Sequence, residues 1–218
     1  MGLISIFKKP LSPGKNSSTE FYDLLFCDDI ERHKRQIKQP AIYPWGVLFS
    51  DACTNEDLQA LISDPQTESR VKILAYKKLV LRGQKPVKKE LLAVIVEIGL
   101  EKGTDVLASY RDGTARYINQ SGKIIAWDVR DSRSDFLTSE LFYESENIVK
   151  QIGPWDQQER LAPPGKGLAR ITFLVSDGLY FGQAPMNDLF HDSLSGPTLN
   201  AAILLMQHLA EKARQRNQ

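Results

Sequence analysis

Only three histidines are available for acid–base work in this 218-residue chain, and one of them has company. His191-Asp192 sits in the loop Asp188-Leu-Phe-His-Asp-Ser-Leu-Ser195. A general base held by a carboxylate, with Ser193 or Ser195 close by, has the residue types for acyl or phosphoryl hydrolysis. The loop also leads into a helix N-terminus, where free backbone amides can hold an anion. Neighbours in sequence seldom aim at each other, however, and Asp and Ser ahead of a helix are ordinary caps. His191 and Asp192 are therefore the catalytic candidates of a hydrolase alternative, with capping as the competing assignment.

Other chemistry fails on spacing. Metal sites need several His or Cys side chains aimed at one point, and the chain has neither Cys-x-x-Cys nor His-Glu-x-x-His. Cys27 and His33 would share a helix but stand about 120° apart around it. No metal site and no cofactor is expected. Gly-Lys occurs at 14–15, 122–123 and 165–166, but Asn16, Ile124 or Gly167 follows, never the Ser or Thr that holds Mg²⁺. Gly-x-Ser-x-Gly is absent. The carboxylates Asp112, Asp128, Asp131 and Asp135 fall at strand ends and turns, where turn chemistry accounts for Asp112 and Asp177.

Two surface features remain. Arg70 to Glu90 carries Arg70, Lys72, Lys77, Lys78, Arg82, Lys85, Lys88 and Lys89 against one acid. The first five spread around a helix axis, and Tyr76 is the only aromatic among them, so a solvated basic edge is expected rather than a nucleic-acid site. Tyr110, Tyr117 and Trp127 fall in consecutive strands, with Tyr180 and Phe181 in a later hairpin. Aromatics on strands are normally core or cross-strand pairs. Should several share a sheet face that helices leave open, Tyr110, Tyr117 and Trp127, anchored by Arg116, would form a binding patch.

The elements that must position these residues follow from periodicity. Residues 18–37 read as one helix opened by Ser17-x-x-Glu20 and stopped by Pro40. Pro40 to Gly46 is too proline-rich for a regular element, and Val47-Leu48-Phe49 suggests a short strand. Thr54-x-x-Asp57 opens a short helix, and 67–82 forms another whose apolar residues surround most of its axis. From 91 to 128 a β-meander of four strands is expected, turned by Asp112-Gly113 and Ser121-Gly122. Residues 135–152 read as helix and 169–183 as a second hairpin around Ser176-Asp177-Gly178. In 196–215, Leu199, Ala202, Ile203, Leu205, Met206, Leu209, Ala210 and Ala213 fall within about 160° of arc, a stripe built to cover a sheet. Leu204 is the one apolar exception.

Runs of hairpins with helices between and after them indicate an α+β fold: an antiparallel meander plus a second hairpin, with helices packed on the sheet. One domain is expected over 18–218, mainly helical before residue 91, with 1–17 as a flexible tail. In arrangement alone, a meander with terminal helices on one face resembles profilin-like and roadblock-like sensor or scaffold domains. Layout of this kind carries no function.

Composition bounds the rest. With 28 Lys+Arg against 27 Asp+Glu, the net charge of +1 gives no global pull toward nucleic acid or acidic lipid. The apolar run Leu3 to Phe7 is too short for a membrane span and has its lysines on the wrong side for a secretory signal. Two cysteines fit free thiols in a reducing compartment, so a soluble cytoplasmic protein is expected. The leading functional expectation is a non-catalytic protein-binding or scaffold module. The alternatives are the His191/Asp192 hydrolase and a small-ligand sensor.

Overall fold

Leu91–Gly99 reads Leu-Leu-Ala-Val-Ile-Val-Glu-Ile-Gly, apolar on both sides of a strand, and such a strand must be covered twice. The computed structural model, which describes residues 15–157 and 159–216, places it near the centre of a six-stranded antiparallel sheet. The strands are β1 (Leu91–Gly99), β2 (Thr104–Tyr110), β3 (Ala115–Ile118), β4 (Ile124–Trp127), β5 (Leu168–Val175) and β6 (Gly178–Pro185). Their order across the sheet is β4-β3-β2-β1-β5-β6. The first four form the expected meander, and the second hairpin pairs β5 back onto β1 with Val94 opposite Phe173.

Helices fill both covers. Before the sheet come α1 (Lys15–Leu24), α2 (Ile30–Gln36), α3 (Trp45–Leu48), α4 (Asn55–Ser63) and α5 (Ser69–Leu81). They pack on the face that carries Ala93, Ile95, Ala108 and Tyr110. The remaining helices are α6 (Ser132–Val149), α7 (Met186–His191) and α8 (Ser195–Gln215). They pack on the opposite face, against Val94, Val96, Leu107 and Phe173. The fold is α+β in three layers. Among the described residues no helix is long and apolar enough to cross a membrane.

Several boundaries differ from the sequence reading, each for a local reason. The helix expected over 18–37 is two helices. Leu25, Phe26 and Cys27 turn inward to be buried, with Cys27 at φ 49, and the Asp29 carboxylate then caps a fresh helix by accepting from the Arg32 amide at 2.8 Å. Residues 1–14 of the expected tail lie outside the described residues, and 15–17 belong to α1. Val47 to Phe49 is no strand. Amides four residues on bond back to Ile42, Pro44 and Trp45, which winds the segment into one helical turn.

The three glycine turns are of two kinds. Tyr110 and Thr114 close a three-residue loop in which Gly113 takes φ 86, and Asn119 and Lys123 close a second with Gly122 at φ 81. That geometry needs the left-handed residue glycine supplies. Ser176-Asp177, by contrast, is a two-residue turn whose flanks Val175 and Gly178 pair directly. The x-Asp-Gly pattern common to 111–113 and 176–178 is thus not a structural repeat.

Candidate functional site

Among the described residues the sheet offers no open aromatic face, because five helices cover one side and three the other. Alternation along β2, β3 and β4 divides the four candidate binding residues between the layers. Tyr110 is fully buried under the N-terminal helices, its hydroxyl donating to the Leu25 carbonyl at 2.9 Å. Arg116 lies on the same side of the sheet, 3% exposed. Its guanidinium donates to the Ala115 carbonyl and bridges Asp128 at 2.7 Å. Tyr117 and Trp127 lie on the opposite side, among the residues that meet α6 and α8. The Tyr117 hydroxyl donates to Asp105 at 2.9 Å, and Trp127 is buried with its ring edge-on to His208. These four residues are brought together into no common surface.

His191 and Asp192 are likewise turned apart. The His191 ring bonds through Nδ1 to the Asn187 carbonyl, at 2.7 Å. One oxygen of Asp192 accepts from the amides of Leu194 and Ser195 and from the Ser195 hydroxyl, at 2.7–3.0 Å. Those bonds, the Ser195 amide first, hold the Asp192 carboxyl below its usual range. His191 closes α7 while Asp192 opens α8, and the two do not assemble a base and its orienting acid. Among the described residues no group of three His, Cys, Asp or Glu side chains could hold a metal ion.

Sequence reasoning missed a buried polar layer between α1 and the sheet. Glu97 is fully buried in β1; it accepts from the Tyr22 hydroxyl at 2.6 Å and faces Arg170 at 3.5 Å. Burial pushes the Glu97 carboxyl up, against the pull of those partners. Arg170 also donates to the carbonyls of Leu161 and Ala162 and to Gln183, so it ties down the segment that crosses this face. Arg160 in that segment bridges Asp23 and Asp28 and lies over the Phe26 ring at 3.8 Å. The cavity beside them measures about 10 Å³, room for one water and no ligand. A lone Glu in Leu-Leu-Ala-Val-Ile-Val-Glu and a lone Arg in Leu-Ala-Arg-Ile-Thr-Phe were the available signals.

A roomier concavity adjoins that small cavity and shares Phe26 and Leu179 with it. The chain corner Phe26-Cys27-Asp28, the outer side of α5 and the β5–β6 turn enclose a groove of about 210 Å³. On α5, Ile73, Tyr76, Lys77, Val80 and Leu81 recur every three or four residues and so share one flank of the helix. Leu174 and Leu179 floor it from the strands. Val80 is 44% and Leu81 73% exposed at its mouth. No nucleophile is ready there. Burial pushes the Cys27 thiol up to about 12, and Tyr76, desolvated and beside Glu90, is raised to about 12 as well. Apolar binding is the chemistry left.

The basic run starts on α5, and Lys77 of it lines the groove. Lys77 donates to the Asp28 carbonyl, Lys78 to Leu48 and Ser50, Arg82 to Cys53 and Lys89 to Val149. Among the described residues only Arg70 of the eight cations is bridged to a carboxylate. Asp28 is occupied by Arg160, and Asp177 accepts from the Tyr180 hydroxyl. Of the run, Lys77 lines the groove, beside Asp28 and Asp177, so the cleft is apolar with charges of both signs at its edge. Comparison of the chain with protein-family models, with curated proteins and with solved structures finds no match.

Proposed function

We propose that the protein is a non-catalytic binding module whose groove between α5 and the β5–β6 turn receives apolar side chains of an acidic peptide segment on a partner protein. The observation that carries this reading is that Val80 and Leu81 stand exposed at the mouth of a 210 Å³ apolar groove. The eight cations of 70–90 lie on and after the same helix, and among the described residues only Arg70 of them is bridged to a carboxylate, which favours an acidic partner. A helix whose apolar residues exceed what its core face needs has a second surface to satisfy. A basic stretch on the helix that bears the groove favours acidic partners and speeds their encounter, with an effect that salt weakens.

The test is a fluorescence titration with synthetic peptides that hold two leucines within a run of Asp and Glu. Binding should weaken at least tenfold in Leu81→Asp and should fall as salt rises from about 0.05 to 0.5 M. Both Leu81 and Val80 are surface residues, so the variant keeps its circular dichroism and melting profile. Equal binding by wild type and Leu81→Asp would sink the reading. Binding of small apolar molecules with no preference for the acidic peptides would shift it to the ligand-sensor alternative.

A further inference from the structure

The sheet ends in two unlike edges. β4 is four residues long, whereas β6 runs for eight, Gly-Leu-Tyr-Phe-Gly-Gln-Ala-Pro, without a single charge. Natural edges of that length are usually blunted by lysine, a bulge or a covering loop, because their unpaired amides and carbonyls invite another strand.

The hydrogen-bond phase of β6 is set by its turn. Val175 and Gly178 flank a two-residue loop and so form the closing bonded pair, which makes Gly178, Tyr180, Gly182 and Ala184 the residues that bond to β5. Leu179, Phe181 and Gln183 turn their amides and carbonyls away from the sheet. The Leu179 carbonyl is taken by the Trp155 amide at 2.6 Å. The backbone groups of Phe181 and Gln183 have no partner outside the sheet among the described residues. Gly182 and Gln183 are exposed, and a side chain built on Gly182 would meet nothing within 4 Å.

We propose that this edge pairs with β6 of a second copy of the chain, antiparallel, about a two-fold axis through Gly182. The edge is complementary to itself in that register. Phe181 would exchange both bonds with Gln183 of the second copy, and Gln183 with its Phe181, which uses every free group of the two residues. The next position outward, beside Leu179, is held by Trp155, whose amide takes the Leu179 carbonyl, so the paired stretch ends at Phe181 and Gln183. Gly182 faces Gly182 at the non-bonded position, where strands approach most closely. An uncharged strand brings no like charges together across the axis. The product is one continuous sheet across two copies, an isologous interface that closes on itself.

The full chain should sediment as two copies at about 100 μM. Its Phe181 and Gln183 amides should exchange with solvent at least tenfold more slowly there than at about 1 μM. Gly182→Lys sets two lysines face to face without filling any occupied space, so it should be a monomer at every concentration with an unchanged melting profile. Gly182→Thr, which fits a strand and adds no charge, should remain a dimer. A monomeric wild type at 100 μM would overturn the proposal, as would a dimer that survives Gly182→Lys. So would a dimer in which Phe181 and Gln183 exchange freely.

Discussion

Ser69 and Asp112 exchange hydrogen bonds across 43 residues of sequence: the Ser69 amide donates to the Asp112 carboxylate at 2.7 Å, and the Asp112 amide donates to the Ser69 hydroxyl at 3.0 Å. This is the reciprocal arrangement of a capping box, divided between α5 and the β2–β3 turn. Glu68, the residue ahead of α5, makes no side-chain cap of its own. The other Asp112 oxygen accepts from the Thr114 amide and hydroxyl, so one carboxylate both shapes the turn and starts the helix.

Replacing either partner with alanine should cost about 0.5–2 kcal/mol in urea unfolding, the range for lost helix caps. The double variant should lose clearly less than the sum, because the second change removes bonds already broken. Strict additivity would show that the two residues act independently.

The Tyr110 hydroxyl, which donates to the Leu25 carbonyl inside the core, gives a second point of attachment between the N-terminal layer and the sheet. Tyr110→Phe should lower stability by about 1–2 kcal/mol, since it leaves a buried carbonyl unsatisfied. Binding of the acidic peptides should be unchanged, because Tyr110 does not reach the groove. Loss of binding at full stability would assign Tyr110 a functional role after all.

His33 is 5% exposed, and burial holds its imidazole below the ordinary value of 6.5, although its Nδ1 lies 3.0 Å from the Asp29 carbonyl. The unfolded chain therefore takes up this proton at a higher pH than the folded one. The stability that neutral His33 brings is complete above 6.5 and is lost as the pH falls toward the depressed folded value. Thermal melts should shift downward between pH 7.5 and about 5.5, and His33→Gln should flatten that part of the profile. An identical slope in the variant would remove His33 from the account.

His191 and Asp192 separate cleanly by substitution. Asp192→Ala should lower the melting temperature by about 2 °C through loss of the α8 cap, while His191→Ala leaves it in place. Neither change should alter peptide binding. A hydrolytic activity abolished by both substitutions would restore the hydrolase alternative.

Legibility varied with the range of the interaction. Strands, turns and the α8 stripe could be read because alternation and glycine placement are local signals. Even Leu204 stands out of the α8 core as its position on the wheel indicated, at 47% exposure. The break at Cys27 was hidden, because burial of Leu25 and Phe26 against the sheet decides it, and only Asp28-Asp29 hinted at a restart. The aromatic patch failed for a related reason. Alternation puts Tyr110 and Tyr117 on strands, but the sequence shows three helices before β1 where the structure has five, and nothing in it marks them as one layer over Tyr110. The groove was foreshadowed in α5, whose apolar residues ran most of the way round the axis. What forms its other walls depends on contacts between residues more than forty apart.

The two covers of the sheet are also sorted by sequence. Among the described residues every helix on one side precedes β1 and every helix on the other follows β4, with residues 82–90 joining the first set to the sheet; the stretch around Arg160 passes back onto the first side without forming a helix. Val87, at the middle of 82–90, is 99% exposed. A cut there would yield one piece holding the entire sheet with its later helices and another holding only helices. The first would bare the Ala93–Ile95 side of β1, and the second would bare the surface shaped to it. The chain is thus organised as two complementing halves, and its natural seam is a linker that a protease can reach.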